Sequence, residues 1–204
     1  LVASNTRCDA RLALSEAASL QPVKVAETVV NEVMEYITRR LEQYLVDGGC
    51  GVEAVRAALA ERGDDPAFAA ATAIELDTLV KRKGSDSDEL KTAMAVLARP
   101  TKLVRGKDLP FDLEVRPGSF ETAEETALYD AYVAARESLG DAASASVGDL
   151  LQASSSLAEP VEQFFDKVFV MADDPELRRN RLALVNAVAS LPKGIVDFAE
   201  LPGF

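Results

Sequence analysis

The sequence predicts an all-α fold, a helical bundle with one long irregular loop (about 99–119) and a short C-terminal tail. Three observations predict it. Apolar residues recur every three or four positions along most of the 204 residues. Helix caps and stops punctuate those runs at regular intervals. No strand-like alternation and no fixed-period repeat interrupts them.

The elements follow in order. Val25, Val29, Val33, Ile37, Leu41 and Tyr44 form an apolar stripe that ends at Asp47, Gly48 and Gly49. A shorter helix carries Val52, Val55 and Leu59 and stops at Gly63. Asp65 followed by Pro66 reads as an N-cap with proline at the first helical position, opening a helix with Phe68, Ile74, Leu76, Leu79 and Val80. Residues 85–98 form the next helix around Leu90, Met94 and Leu97, ended by Arg99 before Pro100 because a pre-proline residue avoids the α region. From Pro100 to Ser119 the helical period is lost and Gly106, Pro110, Pro117 and Gly118 break the chain. Thr122 and Glu125 make a capping box for a helix with Leu128, Tyr132, Ala135 and Leu139. A helix over about 147–158 follows. Val161, Phe164, Phe165, Val168 and Phe169 then fall at i, i+3, i+4, i+7 and i+8, a broad apolar face for the core. Asp174 and Pro175 cap a last helix bearing Leu177, Leu184, Val188 and Leu191, which Pro192 and Gly194 end.

Composition excludes several chemistries. There is no histidine, so His-based triads, His-ligated zinc and imidazole acid–base catalysis are out. Two cysteines, Cys8 and Cys50, are too few for a disulfide framework, and Cys50 reads as a bystander thiol. Acidic spots at Asp64–Asp65, Asp86–Asp88–Glu89 and Asp173–Asp174 sit at helix starts, where acids complement the helix dipole, and read as caps rather than metal ligands. Gly48–Gly49–Cys50–Gly51 follows a helix and lacks the Lys-Ser/Thr of a phosphate loop. Ser154, Ser155 and Ser156 have no base to activate them. No catalytic or metal residue is assigned. No apolar run reaches the roughly 20 residues of a membrane-spanning helix. The chain opens at Leu1 without a secretory signal and reads as the C-terminal part of something longer.

The formal net charge is −12. Non-specific attraction to nucleic acid is therefore not expected, and DNA is not an expected partner. Yet residues 81–107 hold eight basic and three acidic residues, so cations are locally concentrated. Arg99, Lys102, Arg105 and Lys107 lie in the predicted irregular segment. They read either as an exposed polar insertion or as phosphate contacts to a nucleic-acid loop. Arg178, Arg179 and Arg181 make a second group that cannot all face inward. Asn180 beside them offers its amide to a base edge or to a neighbouring turn.

The run Phe164-Phe165-Asp166-Lys167-Val168-Phe169-Val170-Met171, then Asp173-Asp174-Pro175-Glu176-Leu177-Arg178 and Asn180-Arg181-Leu182-Ala183-Leu184, closely resembles the end of the β subunit of bacterial-type glycyl-tRNA synthetase. That end is a helical anticodon-binding domain of the DALR type, shared with arginyl-tRNA synthetase. Tyr36-Ile37-Thr38-Arg39-Arg40-Leu41-Glu42-Gln43 and Val55-Arg56-Ala57-Ala58-Leu59-Ala60 resemble the same subunit in the same order, so the likeness covers about residues 20–204. Leu191-Pro192-Lys193-Gly194-Ile195, Leu201-Pro202-Gly203-Phe204 and the segment Arg99–Lys107 look most like the plastid version, in which the α and β portions are fused. Where the bacterial family reads Lys-Arg-Val-x-Asn-Ile, this chain has Arg99 and Pro100, so an asparagine base contact there is not carried over.

The resemblance implies residues 1–22 as a remnant of a preceding HD-like helical domain, 23–191 as the anticodon-binding domain and 192–204 as a tail. It implies tRNA(Gly) and the catalytic α portion as partners, and ATP with Mg²⁺ used by the complete enzyme at a site outside this chain. It implies the chloroplast, with the mitochondrion as a second site and the bacterial cytoplasm as the alternative. Under it Arg178, Arg179 and Arg181 approach the anticodon stem-loop, Lys102, Arg105 and Lys107 hold phosphates, and Phe164, Phe165, Phe169 and Leu184 are core. The rival reading is a helical protein–protein module without RNA binding.

Overall fold

The computed structural model describes residues 1–82, 85–107, 110 and 113–204, and the side chains of all of these except Glu27, Ser85, Asp86 and Ser87. Lys83 of the basic stretch, the Asp86 side chain and residues 108, 109, 111 and 112 of the expected loop lie outside them. The secondary structure is all-α: α1 Ala10–Ser19, α2 Glu27–Asp47, α3 Val52–Arg62, α4 Pro66–Lys81, α5 Ser85–Val104, α6 Ala123–Leu139, α7 Val147–Ser155, α8 Ala158–Lys167 and α9 Pro175–Ala189. Short 3₁₀ turns occupy Val2–Ser4, Pro117–Ser119 and Phe198–Glu200. No helix among the described residues is long and apolar enough to cross a membrane.

The local signals form as read. The Asp65 carboxylate accepts the Phe68 N–H and Pro66 opens α4. Asp174 accepts from the Glu176 and Leu177 N–H groups at the start of α9. Both halves of the Thr122–Glu125 box close on α6, and Ser146 and Asp149 form a second box on α7. Each cap satisfies backbone donors that a helix start leaves without partners.

By its contacts the chain divides into two compact units, Leu1–Arg82 with Gly194–Gly203, and Lys83–Lys193 with Phe204. These bounds do not fall at residues 22 and 191. In the first unit, Leu41 and Leu45 of α2 pack with Val55, Ala58 and Leu59 of α3 and with Ala69, Ala70 and Ala73 of α4. Small side chains let α3 and α4 approach closely. Ile74 and Val80, expected on the inner face, are exposed, as are Val29 and Tyr44 of the α2 stripe.

The expected tail belongs to this unit's interior. Ile195, Val196, Phe198 and Leu201 are buried. The Asp197 N–H donates to the Ala57 carbonyl at 2.9 Å, and the Gly194 N–H to Glu61 Oε2 at 2.6 Å. Arg62, itself buried, donates to the Gly194 carbonyl at 3.0 Å and to Thr72 Oγ1 at 2.6 Å. Its guanidinium lies 3.8 Å from the Phe68 ring centroid, and Arg7 lies over the same ring at 3.9 Å. Burial first, and the second guanidinium after it, push the Arg62 pKa down to about 10.

In the second unit, α5 packs against α7, α8 and α9, and α6 against the same three. Leu97, Leu128, Leu150, Phe164, Leu184 and Val188 are fully or nearly fully buried there. One expectation fails in this unit. Pro100 does not end α5, which runs on to Val104 with Pro100 inside it and buried. A proline inside a helix forfeits one backbone bond and costs about 3 kcal/mol. Burial of Ala93, Val96, Leu97 and Pro100 along one side of α5 offsets that cost. The irregular stretch therefore begins after Val104, and Arg99 and Lys102 are helical.

A candidate nucleic-acid interface on the second unit

Helix α8 stops at Lys167, where Val168 turns extended (φ −105°, ψ 121°). From there to α9 the chain forms a strap whose side chains alternate. Val168, Val170 and Ala172 are buried, whereas Phe169 is 71% and Met171 42% exposed. Phe169 was expected in the core. Helical spacing would have placed it beside Phe165, but the helix has ended and the two-residue period of extended backbone turns the ring outward.

The strap is held from behind by α9. Arg181 is almost wholly buried and donates Nε to Glu125 Oε1 at 2.8 Å and Nη1 to the Phe169 carbonyl at 3.0 Å. Glu125 is itself fully buried. Its other oxygen accepts from the Glu121 and Thr122 N–H groups and the Thr122 hydroxyl, at 2.9–3.0 Å. Burial opposes ionisation of this carboxyl. The Arg181 guanidinium and the three donors outweigh it and hold the pKa below the ordinary range. Arg178 donates to the Ala172 carbonyl at 3.2 Å, further along the strap.

Asn180, also buried, pairs with backbone. Its Nδ2 donates to the Arg116 carbonyl at 3.0 Å while its Oδ1 accepts the Arg116 N–H at 2.7 Å. The irregular segment is thereby tied to α9 just before α6. Asn180 and Arg181 thus face inward: of the two uses read for Asn180 the neighbouring backbone is the one seen, and Arg181, expected at the RNA, is not presented to solvent. Arg178 and Arg179 are half-exposed.

Of the mid-chain cations, Arg99 of α5 meets the end of α8, and Lys107, beyond α5, meets the strap. The Arg99 guanidinium lies 4.5 Å from the Phe165 ring centroid, bonds to the Phe165 carbonyl at 3.3 Å and stands 3.6 Å from Asp166. Lys107 Nζ lies 3.8 Å from Met171 Sδ. Lys102 and Arg105 are exposed and make no ion pair with the described residues. Lys107 and the α9 residues Arg178 and Arg181 therefore meet one strap, at Met171, Ala172 and Phe169. Chemically the arrangement sets exposed cations and an outward aromatic ring on neighbouring segments, groups that suit phosphates and unpaired bases.

The family model of the DALR anticodon binding domain matches residues 93–196, a span that contains the strap, α9 and all eight residues discussed above. The chain belongs to that family. It is 40% identical over all of its 204 residues to the glycine–tRNA ligase, chloroplastic/mitochondrial 2, of Arabidopsis thaliana, covering 18% of that protein. It is 30% identical over 91% of its length to the glycine–tRNA ligase β subunit of Moorella thermoacetica, and over 98% to that of Escherichia coli, covering 26% and 29% of them. The chain thus spans under a third of the length of these relatives. The sequence singled out the basic residues among positions 99–107, which the structure places partly on α5 and partly after it. It missed the outward Phe169 and Met171, whose only signal was the alternation of large and small residues over 168–172.

Proposed function

We propose that this chain supplies anticodon-loop recognition to a glycine–tRNA ligase, with tRNA(Gly) as its RNA. One observation carries the reading: in a DALR domain, the exposed Lys107 and the α9 residue Arg178 meet the same strap, at Met171 and Ala172. Arg99, Lys102, Arg105 and Lys107 hold backbone phosphates, with half-exposed Arg178 and Arg179 beside them. The net charge of −12 keeps affinity low for RNA that lacks the right shape.

Ligation itself belongs to the rest of such an enzyme. The catalytic α portion is the protein partner, and it uses ATP and Mg²⁺. Among the described residues no group of three His, Cys, Asp or Glu side chains is placed to share a metal ion. Similarity to the Arabidopsis relative supports the chloroplast as the site of action, with the mitochondrion second, and the bacterial relatives leave the bacterial cytoplasm as the alternative.

Filter binding of the 204-residue chain to tRNA(Gly) and to a tRNA of another specificity, at low and moderate salt, tests this. Preferential binding of tRNA(Gly) that weakens as salt rises is expected. No binding at low salt overturns the reading in favour of a protein–protein module.

A further inference from the structure

We propose that Phe169 is a stacking platform for one unpaired base of the bound RNA. This rests on the reading of the chain as an anticodon-loop binder, and it deepens that reading by naming a base-contacting side chain. A large apolar ring 71% exposed is by itself unremarkable on a protein surface. Three features set this one apart.

Its backbone is held rigidly. The Phe169 carbonyl is bonded to buried Arg181, which is pinned by fully buried Glu125, and the flanking Val168 and Val170 are buried. The ring is thus presented at little ordering cost, which is what a contact made only on binding requires.

Its neighbourhood is right for RNA. Met171, the next outward side chain, extends the apolar face and touches the cation of Lys107. A flat ring two residues along the strap from the side chain that meets a cation can take a nucleotide by both of its parts, base on ring and phosphate on ammonium. Of the acids close to this surface, Asp166 stands beside Arg99, Glu121 beside Arg181, and Asp174 is turned into the α9 cap, while Asp173 is exposed.

The ring also has no aromatic or cationic partner among the described residues, whereas Phe165 has the Phe164 ring and the Arg99 guanidinium against it.

Two substitutions in the 204-residue chain test this. Phe169→Ala should weaken tRNA(Gly) binding about tenfold, the usual loss for one stacked base. Its salt dependence should not change, because no cation is removed. The chain contains no tryptophan, so Phe169→Trp introduces a single indole. That variant should keep its affinity, and its fluorescence should be quenched on binding tRNA(Gly) but not a fully paired RNA duplex. Wild-type affinity in Phe169→Ala, or unaltered indole emission in the saturated complex, overturns the stacking proposal alone. If the unsubstituted chain binds no tRNA at low salt, the stacking proposal and the functional reading fall together.

Discussion

Arg181 of α9 and Glu125 of α6 meet at 2.8 Å with side chains only 8% and 0% exposed, although 56 residues separate them in the chain. The pair joins two helices and at the same time fixes the carbonyl of Phe169. Breaking a buried pair leaves one charge without compensation, which costs about 3–5 kcal/mol. Arg181→Ala and Glu125→Ala should each lower the Tm sharply in thermal denaturation. Replacing both residues with apolar side chains should cost much less than the two single losses combined. Additive losses would show that the two residues act separately.

The same carboxyl makes the second unit sensitive to acid. The Glu125 pKa lies below its ordinary 4.5 in the folded protein, so its stabilisation is complete above that value and fades as pH falls through the folded one. The Tm difference between the wild type and Glu125→Gln should therefore be large near neutrality and shrink below about pH 4.5. Parallel curves down to strongly acid pH would contradict this.

Arg62 has the corresponding place in the first unit. Arg62→Ala removes bonds to Thr72 and Gly194 and a contact with Phe68, and leaves the buried Thr72 hydroxyl without that donor. A loss of about 2–3 kcal/mol is expected. Limited proteolysis read by mass spectrometry should then show new cleavage within residues 194–203 before any elsewhere.

Lys102 and Arg105 are exposed, so charge reversal at either should leave the unfolding free energy within about 0.5 kcal/mol of wild type. If they hold phosphates of a single-stranded loop, each loss should reduce the salt dependence of tRNA affinity by about 0.7 in log–log slope. Unchanged slopes in Lys102→Glu and Arg105→Glu would remove both residues from the interface.

What could be read from the sequence was what depends on near neighbours. The caps at Asp65, Thr122 and Asp174 involve donors two or three residues away, so spacing alone shows them. The partners of Arg181 could not be found that way, since Glu125 and the Phe169 carbonyl reach it only through tertiary packing, and a buried arginine looks like an exposed one in sequence. Pro100 misled because a local rule was overridden by burial along α5. Phe169 misled because over so short a run a helical and an extended period are both satisfied, and only the end of α8 at Lys167 decides between them. In the first unit alanines rather than Ile74 or Val80 face the core, and alanine gives a weak hydrophobic signal. The cations among residues 99–107 were visible throughout, but charge alone did not separate a solvated insertion from an RNA contact, and only the family likeness favoured the second.

The path of the chain through its two units bears on its synthesis. The first unit is left at Arg82 and re-entered only at Gly194. On the ribosome the surface around Ala57, Glu61 and Arg62 must therefore wait, uncovered, while more than a hundred residues are translated before Ile195, Phe198 and Leu201 emerge to close it. The second unit can fold during that interval; the first cannot finish until it is over. A stalled nascent chain at that stage would expose an apolar patch that the released protein never shows, and holding it soluble is a task for chaperones rather than for the fold.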